Sequence, residues 1–563
     1  MEFLKRKSTE YTLKFLIALF LLLLINFLVR FTVIRWDLTE ENRYTMSEAT
    51  QSLLQNLEEP LYVEVYLAGD INAEFSRLQT AIKQTLDQFK EYAYGNIQYS
   101  FVNPDQAESA KARNQFYQVL IDKGIQPTNV FDTEEGRKSQ KLIFPGAEIT
   151  YKGRSEPVIL LSGNNAAGAR EAINQSIENL EYELAQAIKN LTNSERKKIA
   201  IVQGHGEPAG QQLSGLRTTL EDKFDLFPLS DLSKLSQFDA ALFIKPTQTF
   251  SNSELYDIDQ YIMRGGKPLF FLDGLSISVD SIREYGAMAL PIETNLDEIL
   301  FKYGVRVNKD VLQDVNSGNF PIVTGNMGDK PQIQLLPWPY YIILNNYAPH
   351  PIVRNLNAVY GKFVSSIDTV TASDIKKTPL ISTSDYTRRL KGPVHINFED
   401  LKTDIVPENF NLKNVPVAYL LEGEFSSAYK NRLKPEDREN TELLSNSTAN
   451  AIIVASDGDL LLSEMDKEKA TPFPLGVDPY ARHPAPFAND QLILNMVNYL
   501  LEDDGLIITR NKEFKIRPLD KVKIADNKLA IQLLNVALPI FMIIIFGVLR
   551  YFWRKRKYAK FNG

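Results

Sequence analysis

The sequence predicts an α/β protein held at a membrane by one helix near each end. Three observations predict it. Long apolar runs lie close to both termini, basic residues cluster just outside each run, and strand-like and helix-like patterns alternate through the interior.

The first run, residues 15–29, reads FLIALFLLLLINFLV and is broken only by Asn26. Spanning a bilayer takes about 20 residues, so the expected span is 15–34, with Lys14 and Arg30 snorkelling to the interfaces. The second run, residues 529–549, is 21 residues without a charge, LAIQLLNVALPIFMIIIFGVL. Its Pro539 and Gly547 are tolerable in a membrane helix. Lys5, Arg6, Lys7 and Lys14 accompany the first run, and Arg550, Arg554, Lys555, Arg556, Lys557 and Lys560 follow the second. Positive charge marks the cytoplasmic side. Residues 1–14 and the basic tail 550–563 are therefore expected in the cytoplasm, with the bulk of the chain outside. No small-x-small cleavage pattern follows the first run, where VRFTVIRWDL is bulky and basic, so the expectation is an uncleaved anchor. Helices associate in lipid through small residues and polar side chains. Asn26 with Ala18 on the first helix, and Ala530 and Ala537 on the second, are the candidate contacts with a membrane partner.

Composition excludes several function classes. Lys plus Arg number 63 against 70 Asp plus Glu, a net charge of −7, and no basic block interrupts the interior. Nucleic-acid binding therefore has no electrostatic footprint. The chain has no cysteine, which removes disulfides, thiolate catalysis and thiolate metal sites together.

The first outer segment is 37–195. TMSEATQSLLQNLEEP is a helix capped by Ser47 and ended by Pro60. LYVEVYLAG alternates as a half-buried strand does. Phe75, Leu78, Ile82, Leu86 and Phe89 recur at helical spacing, NIQYSFVNP is a second strand, and 105–122 is helical again. LIFPGAEITYKG and SEPVILLSG form a strand pair before a closing helix at 172–191. This order resembles a thioredoxin-like layout without its redox cysteines, an analogy of fold that carries no function.

A doubly wound α/β segment follows, 196–294 and 415–520, interrupted by an insertion at 295–414. Strand 199–203 leads into a glycine turn and a helix near 210–223. DLFPL and DAALFIKP are short strands. Ser251 and Glu254 have capping-box spacing, Gly265 and Gly266 form a left-handed helix stop, and PLFFLD is a strand covered on both faces. The insertion opens with a helix stopped by Gly304 and continues as a loose, aromatic and proline-rich stretch, partly strand. The α/β pattern returns at 415–423 and 450–460. A last helix at 489–502 puts Leu492, Ile493, Met496, Val497 and Leu500 on one face.

The chemistry-bearing stretch is KKIAIVQGHGEP, where a strand delivers Gly204, His205, Gly206 and Glu207 onto a turn. Active sites of α/β proteins sit at the carboxyl ends of strands. An enzyme would use His205 as base and Glu207 as its partner. A structural turn would tie His205 to a neighbouring loop and place Glu207 near a helix N-terminus. No GxSxG, Walker-type loop or GxGxxG accompanies it, so no nucleophile, ATP or cofactor motif completes an enzyme. His205, His350, His395 and His483 have no metal-ligand spacing. Asp273, Asp457 and Asp459 end strands; joined to Glu207 they would hold a cation, and as strand-end turns and caps they would not. The favoured expectation is a non-enzymatic protein with no cofactor and no metal. A periplasmic hydrolase or ligand-binding protein using the loop 204–207 is the alternative.

Taken together, RWDLTEENRYTMSEAT after a membrane run, IVQGHGEP, MRGGKPLFFLD, WPYYIILNNYAPHPIV, LLEGEFSSAYKNR and NDQLILNMVNYLLEDDGLIITRNKEFKIRPLD resemble the GldG family, gliding-motility-associated auxiliary or "substrate-binding" components of ABC transporters. The resemblance runs essentially end to end. It implies that the doubly wound segment is similar to a domain of intraflagellar-transport proteins, itself glutamine-amidotransferase-like. Relatives of that fold would use a cysteine nucleophile, which this chain lacks. It implies a GldF-like permease and, through it, a GldA-like cytoplasmic ATPase as partners, and a bacterial inner membrane with the bulk of the chain periplasmic.

Overall fold

The computed structural model describes residues 7–29 and 45–558, apart from 108, 135–136, 162–167, 194, 283–285, 328–329, 373, 399–400, 402–405, 433, 439–440, 467–468, 481–486, 503–504, 512–523 and 525–526. Residues 1–512 form one compact unit and 513–563 a second. The architecture is mixed α/β.

Helix α1 spans Lys7–Val29. Its apolar stretch among the described residues is Leu13–Leu24, short of the ~20 residues a span needs; residues 30–34 of the expected span lie outside the described ones. Helix α2, Glu48–Gln55, starts where the Ser47 side chain accepts the Thr50 amide. Strand β1, Leu61–Val65, buries alternate residues. It is followed by α3 (Ala73–Tyr92), β2 (Ile97–Phe101) and α4 (Ala110–Asp122). A hairpin, β3 (Thr128–Glu134) and β4 (Arg137–Ile143), then stands apart from the main sheet. Side-chain patterning does not reveal it, because TNVFDTE and RKSQKLI are too polar to show strand alternation. Strands β5 (Gly146–Tyr151) and β6 (Arg154–Ile159) complete a sheet ordered β2-β1-β5-β6, with β1 parallel to β2 and antiparallel to β5. The five α3 residues named from spacing are all buried, and they share a core with Leu180, Leu184 and Ile188 of α5, Ala169–Thr192.

The larger sheet contains β7 (Lys198–Val202), β8 (Asp225–Leu229), β9 (Ala240–Ile244), β10 (Lys267–Phe271) and the strand Asn446–Ala455. They lie in the order β8, β7, β9, β10, then Asn446–Ala455, all parallel. Both faces are covered. Ile199 and Ile201 pack with Leu216 and Leu220 of α6 (Ser214–Glu221) and with Leu492 and Met496 of α9 (Asn489–Leu501). Ala200 and Val202 pack with Ile258 and Ile262 of α7 (Asn252–Met263). Each large apolar side chain so buried contributes about 1.5–3 kcal/mol, which is why these strands read as continuous apolar runs. The capping box of Ser251 and Glu254 is formed. Of the glycine pair after α7, only Gly265 is left-handed, at φ +90. Gly266 is needed for space, because a Cβ there would meet the Tyr261 ring.

Two features go beyond what the sequence predicts. The strand read at 415–423 is Pro416–Ser426 and runs antiparallel to Asn446–Ala455, as do the next pairings outward. Hydrophobic periodicity carries no strand direction. The insertion, read as loose after α8 (Leu296–Tyr303), is rich in strands. Its Ser317–Met327 and Lys330–Leu344 strands form a long hairpin with register shifts. Fully buried Trp338 packs there against Phe320, Tyr340, Tyr341 and Phe363. Pro337 and Pro339 flank that tryptophan and mask the strand pattern in the sequence.

Helix α10 spans Lys528–Tyr558. Among the described residues it is the helix long and apolar enough to cross a membrane, with mean hydropathy reaching 2.5. The basic segment expected as a tail from 550 is helical as far as Tyr558.

Candidate functional site: the carboxyl ends of the parallel strands

The chain steps from β7 to β8 on one side and then returns past β7 to β9. Between the carboxyl ends of β7 and β9 the sheet therefore has a topological switch point, the usual place for a ligand in open α/β sheets. The Gly204–Glu207 turn leaves β7 at this point, and the loop 245–250 leaves β9 beside it.

The two loops satisfy one another. The His205 carbonyl accepts the amides of Thr247 at 2.8 Å and Gln248 at 2.9 Å. Thr247 Oγ1 donates to the Gly206 carbonyl at 3.3 Å. Gly206 has φ +78, and a Cβ there would strike Thr247 Oγ1, so both backbone and space require glycine. The His205 ring stacks on Phe250, and its Nε2 lies 3.2 Å from Glu254 Oε1. Glu207 folds back on its own turn: Oε2 accepts the His205 amide at 2.6 Å, and Oε1 stands 3.4 Å from His205 Nδ1 without forming a hydrogen bond. The His205 and Glu207 side chains are only 7% and 2% exposed. Burial alone would raise the Glu254 carboxyl, but the backbone and hydroxyl of Ser251 and the His205 ring outweigh it and hold the group below its ordinary value. The imidazole is thus an anchor between β7 and the first turn of α7. Glu207 serves this turn instead of a helix N-terminus.

One strand further, Lys245 sits directly after β9 in the left-handed region, at φ +49. Its Nζ lies 2.9 Å from Asp273 Oδ2 and 2.6 Å from Asp459 Oδ2. Burial opposes the charge, yet the two carboxylates prevail and hold the lysine above its usual value. Asp273 Oδ1 accepts the Gly458 amide, and Asp457 accepts the amides of Lys362 and Asp459. Burial pushes the carboxyls of Asp273 and Asp457 up and the Lys362 ammonium down. Lys362 also pairs with Glu464 and lies 5.1 Å from the Tyr341 ring centroid. One protonated lysine therefore ties the ends of β9, β10 and Asn446–Ala455. The aspartates are legible in the sequence as strand ends, whereas the roles of both lysines are not. The available signal was a lone lysine closing an apolar strand, as in DAALFIKP.

The aspartates and Glu207 are not gathered around one point: Glu207 folds onto its own turn, Asp273 and Asp459 share Lys245, and Asp457 holds backbone amides. Among the described residues no group of three or more His, Asp or Glu is placed to hold a metal. His350 packs edge-on to Tyr499, with its imidazole lowered by burial, and His395 lies on a strand paired with residues 287–289. His483 is outside the described residues. On the helices, Ala18 and both Ala530 and Ala537 are exposed, while the Asn26 side chain is outside the described residues.

More than half of the chain, residues 196–496, matches the family described as an ABC-type uncharacterized transport system. The chain belongs to this family. The match runs from just before β7 into α9, so the interlocked strand ends and the aromatic insertion are both within it. As a member, the chain is an accessory protein of an ABC-type transport system. Residues 40–150 match a domain of unknown function, DUF7088. An uncharacterized protein of Borreliella burgdorferi is 21% identical over 98% of this chain and 100% of its own length. The solved N-terminal domain of mmIFT52 aligns over 55% of this chain and 98% of that domain, at 14% identity and a TM-score of 0.31.

Proposed function

We propose that this protein is a non-enzymatic, double-anchored subunit of an ABC-type complex. It passes conformational change between its outer region and the membrane through its terminal helices. The observation that carries this reading is the commitment of both strand-end bases to internal structure: His205 bridges β7 to α7, and Lys245 clamps three strand ends. Family membership and the apolar α10 support the membrane setting.

In this reading α1 and its continuation through residue 34 form a second anchor. Both termini are cytoplasmic, and the region between is periplasmic, at a bacterial inner membrane. It comprises a thioredoxin-like domain at 37–195 and a glutamine-amidotransferase-like domain at 196–294 and 415–520, with the insertion at 295–414. The partners are a GldF-like permease, docked on Asn26, Ala530 and Ala537, and a GldA-like ATPase reached through it. The setting is gliding motility. The Gly204–Glu207 turn is an internal brace.

Purification of the tagged protein from native membranes in mild detergent tests the proposal. A permease and an ATPase should co-purify in fixed ratio. Recovery of the chain alone from intact membranes would overturn it. Hydrolytic turnover that disappears in His205→Ala would establish the hydrolase alternative.

A further inference from the structure

Away from the strand ends, a cavity of about 240 Å³ opens between the smaller sheet's helix α5 and the larger sheet's helix α9. Its wall carries Tyr182, Glu183 and Gln186 from α5, Lys223 after α6, Asp490 from α9, and Arg510. The charges are mixed and, in part, uncommitted. Arg510 is 4% exposed and lies over the Tyr182 ring, 5.2 Å to the centroid. One of its terminal nitrogens donates to the Arg354 carbonyl at 2.9 Å, whereas its Nε meets no acceptor among the described residues. Gln186 is 8% exposed, and its Oε1 meets no donor among them. Leaving a buried polar atom unpaired costs about 1–3 kcal/mol. Such atoms in the wall of a cavity mark a place able to receive polar groups. Glu183 feels Arg510 and Lys223 as charges, but burial dominates and raises its carboxyl; burial likewise raises Asp490.

We infer that this cavity binds a small zwitterion of the α-amino acid class, its carboxylate at Arg510 and Lys223 and its ammonium at Glu183 and Asp490. An anion alone would meet Arg510 and Lys223 but not the carboxyls of Glu183 and Asp490 on the same wall, and a cation alone would leave the Arg510 edge unpaired. The size of the cavity restricts the ligand to one residue or little more. Its position gives binding a consequence: occupancy would tie α5 and α9, from the two sheets' sides, to Arg510. The inference stands on the cavity and not on the ABC reading.

The test is isothermal titration of the full-length protein in detergent with glycine, L-alanine, L-glutamate and L-lysine, and with acetate and methylammonium as single-charge probes. At least one amino acid should bind saturably, and acetate and methylammonium should not. Glu183→Gln and Lys223→Met should each weaken that binding about tenfold or more, since each removes a charge-assisted contact. Thermal melting of each variant verifies its fold. If a variant unfolds, the amino acid and single-charge titrations of the wild type decide alone. No saturable amino acid binding at millimolar concentration would overturn the inference. So would acetate binding as tightly as the amino acid, or folded variants that bind like wild type.

Discussion

The imidazole of His205 lies flat on the ring of Phe250, with centroids 3.7 Å apart and planes inclined by 17°. Phe250 is fully buried and precedes the capping box of α7. The stack therefore fastens the β7 turn to the start of a helix on the sheet's face. His205→Ala removes the stack and leaves Glu254 without its ring partner. The variant is expected to lose about 2 kcal/mol of stability, measured by urea unfolding of the full chain. A loss within error of zero would mean that the ring is not a brace.

Glu254 gives this brace a pH dependence. Its carboxyl is held below the ordinary 4.5 because hydrogen bonds from Ser251 and His205 outweigh burial. A carboxyl depressed by folding contributes stability that is full above its unfolded value and is lost as pH falls through its folded value. Stability should therefore decline as pH drops below about 4.5, and Glu254→Gln should flatten that decline. Thermal melting across acid pH checks this; parallel curves for the two proteins would refute it.

Lys245 is the only cation contacting both Asp273 and Asp459 among the described residues. Lys245→Met strands two carboxylates in a buried site, at a cost of about 3–5 kcal/mol. Adding Asp273→Asn should recover part of the loss, because one uncompensated charge is gone. Denaturant unfolding of the single and double variants measures both effects. A double variant no more stable than the single would show that the charge pairing is not what Lys245 supplies.

The membrane arrangement is open to direct test. A reporter that fluoresces only in the cytoplasm, fused after Gly563, should be bright; a dark and stably expressed fusion would reject the proposed topology. Ala530 and Ala537 lie seven residues apart on α10, on nearly the same face. Asn26→Leu combined with Ala537→Leu should weaken recovery of the co-purifying permease while the outer region stays folded. Undiminished recovery would place the contact elsewhere.

By itself the sequence determined the elements whose cause is local. The cap at Ser47, the capping box of Ser251 and Glu254, the buried stripes of α3 and α9, the continuously apolar strand PLFFLD and the apolar length of α10 all follow from side-chain periodicity and backbone chemistry within a few residues. It also located the turn from Gly204 to Glu207 at a strand end. Tertiary structure decided what depends on residues distant in the chain. The direction of Pro416–Ser426 and the pairing of the insertion's hairpins are properties of neighbours, which periodicity does not encode. The partners of His205 come from residues 247–254, and those of Lys245 from Asp273 and from Asp459, more than 200 residues away. A histidine and a glutamate on a glycine turn look the same in sequence whether they face a substrate or one another. Burial and pairing distinguish the two, and only the folded chain brings those partners together.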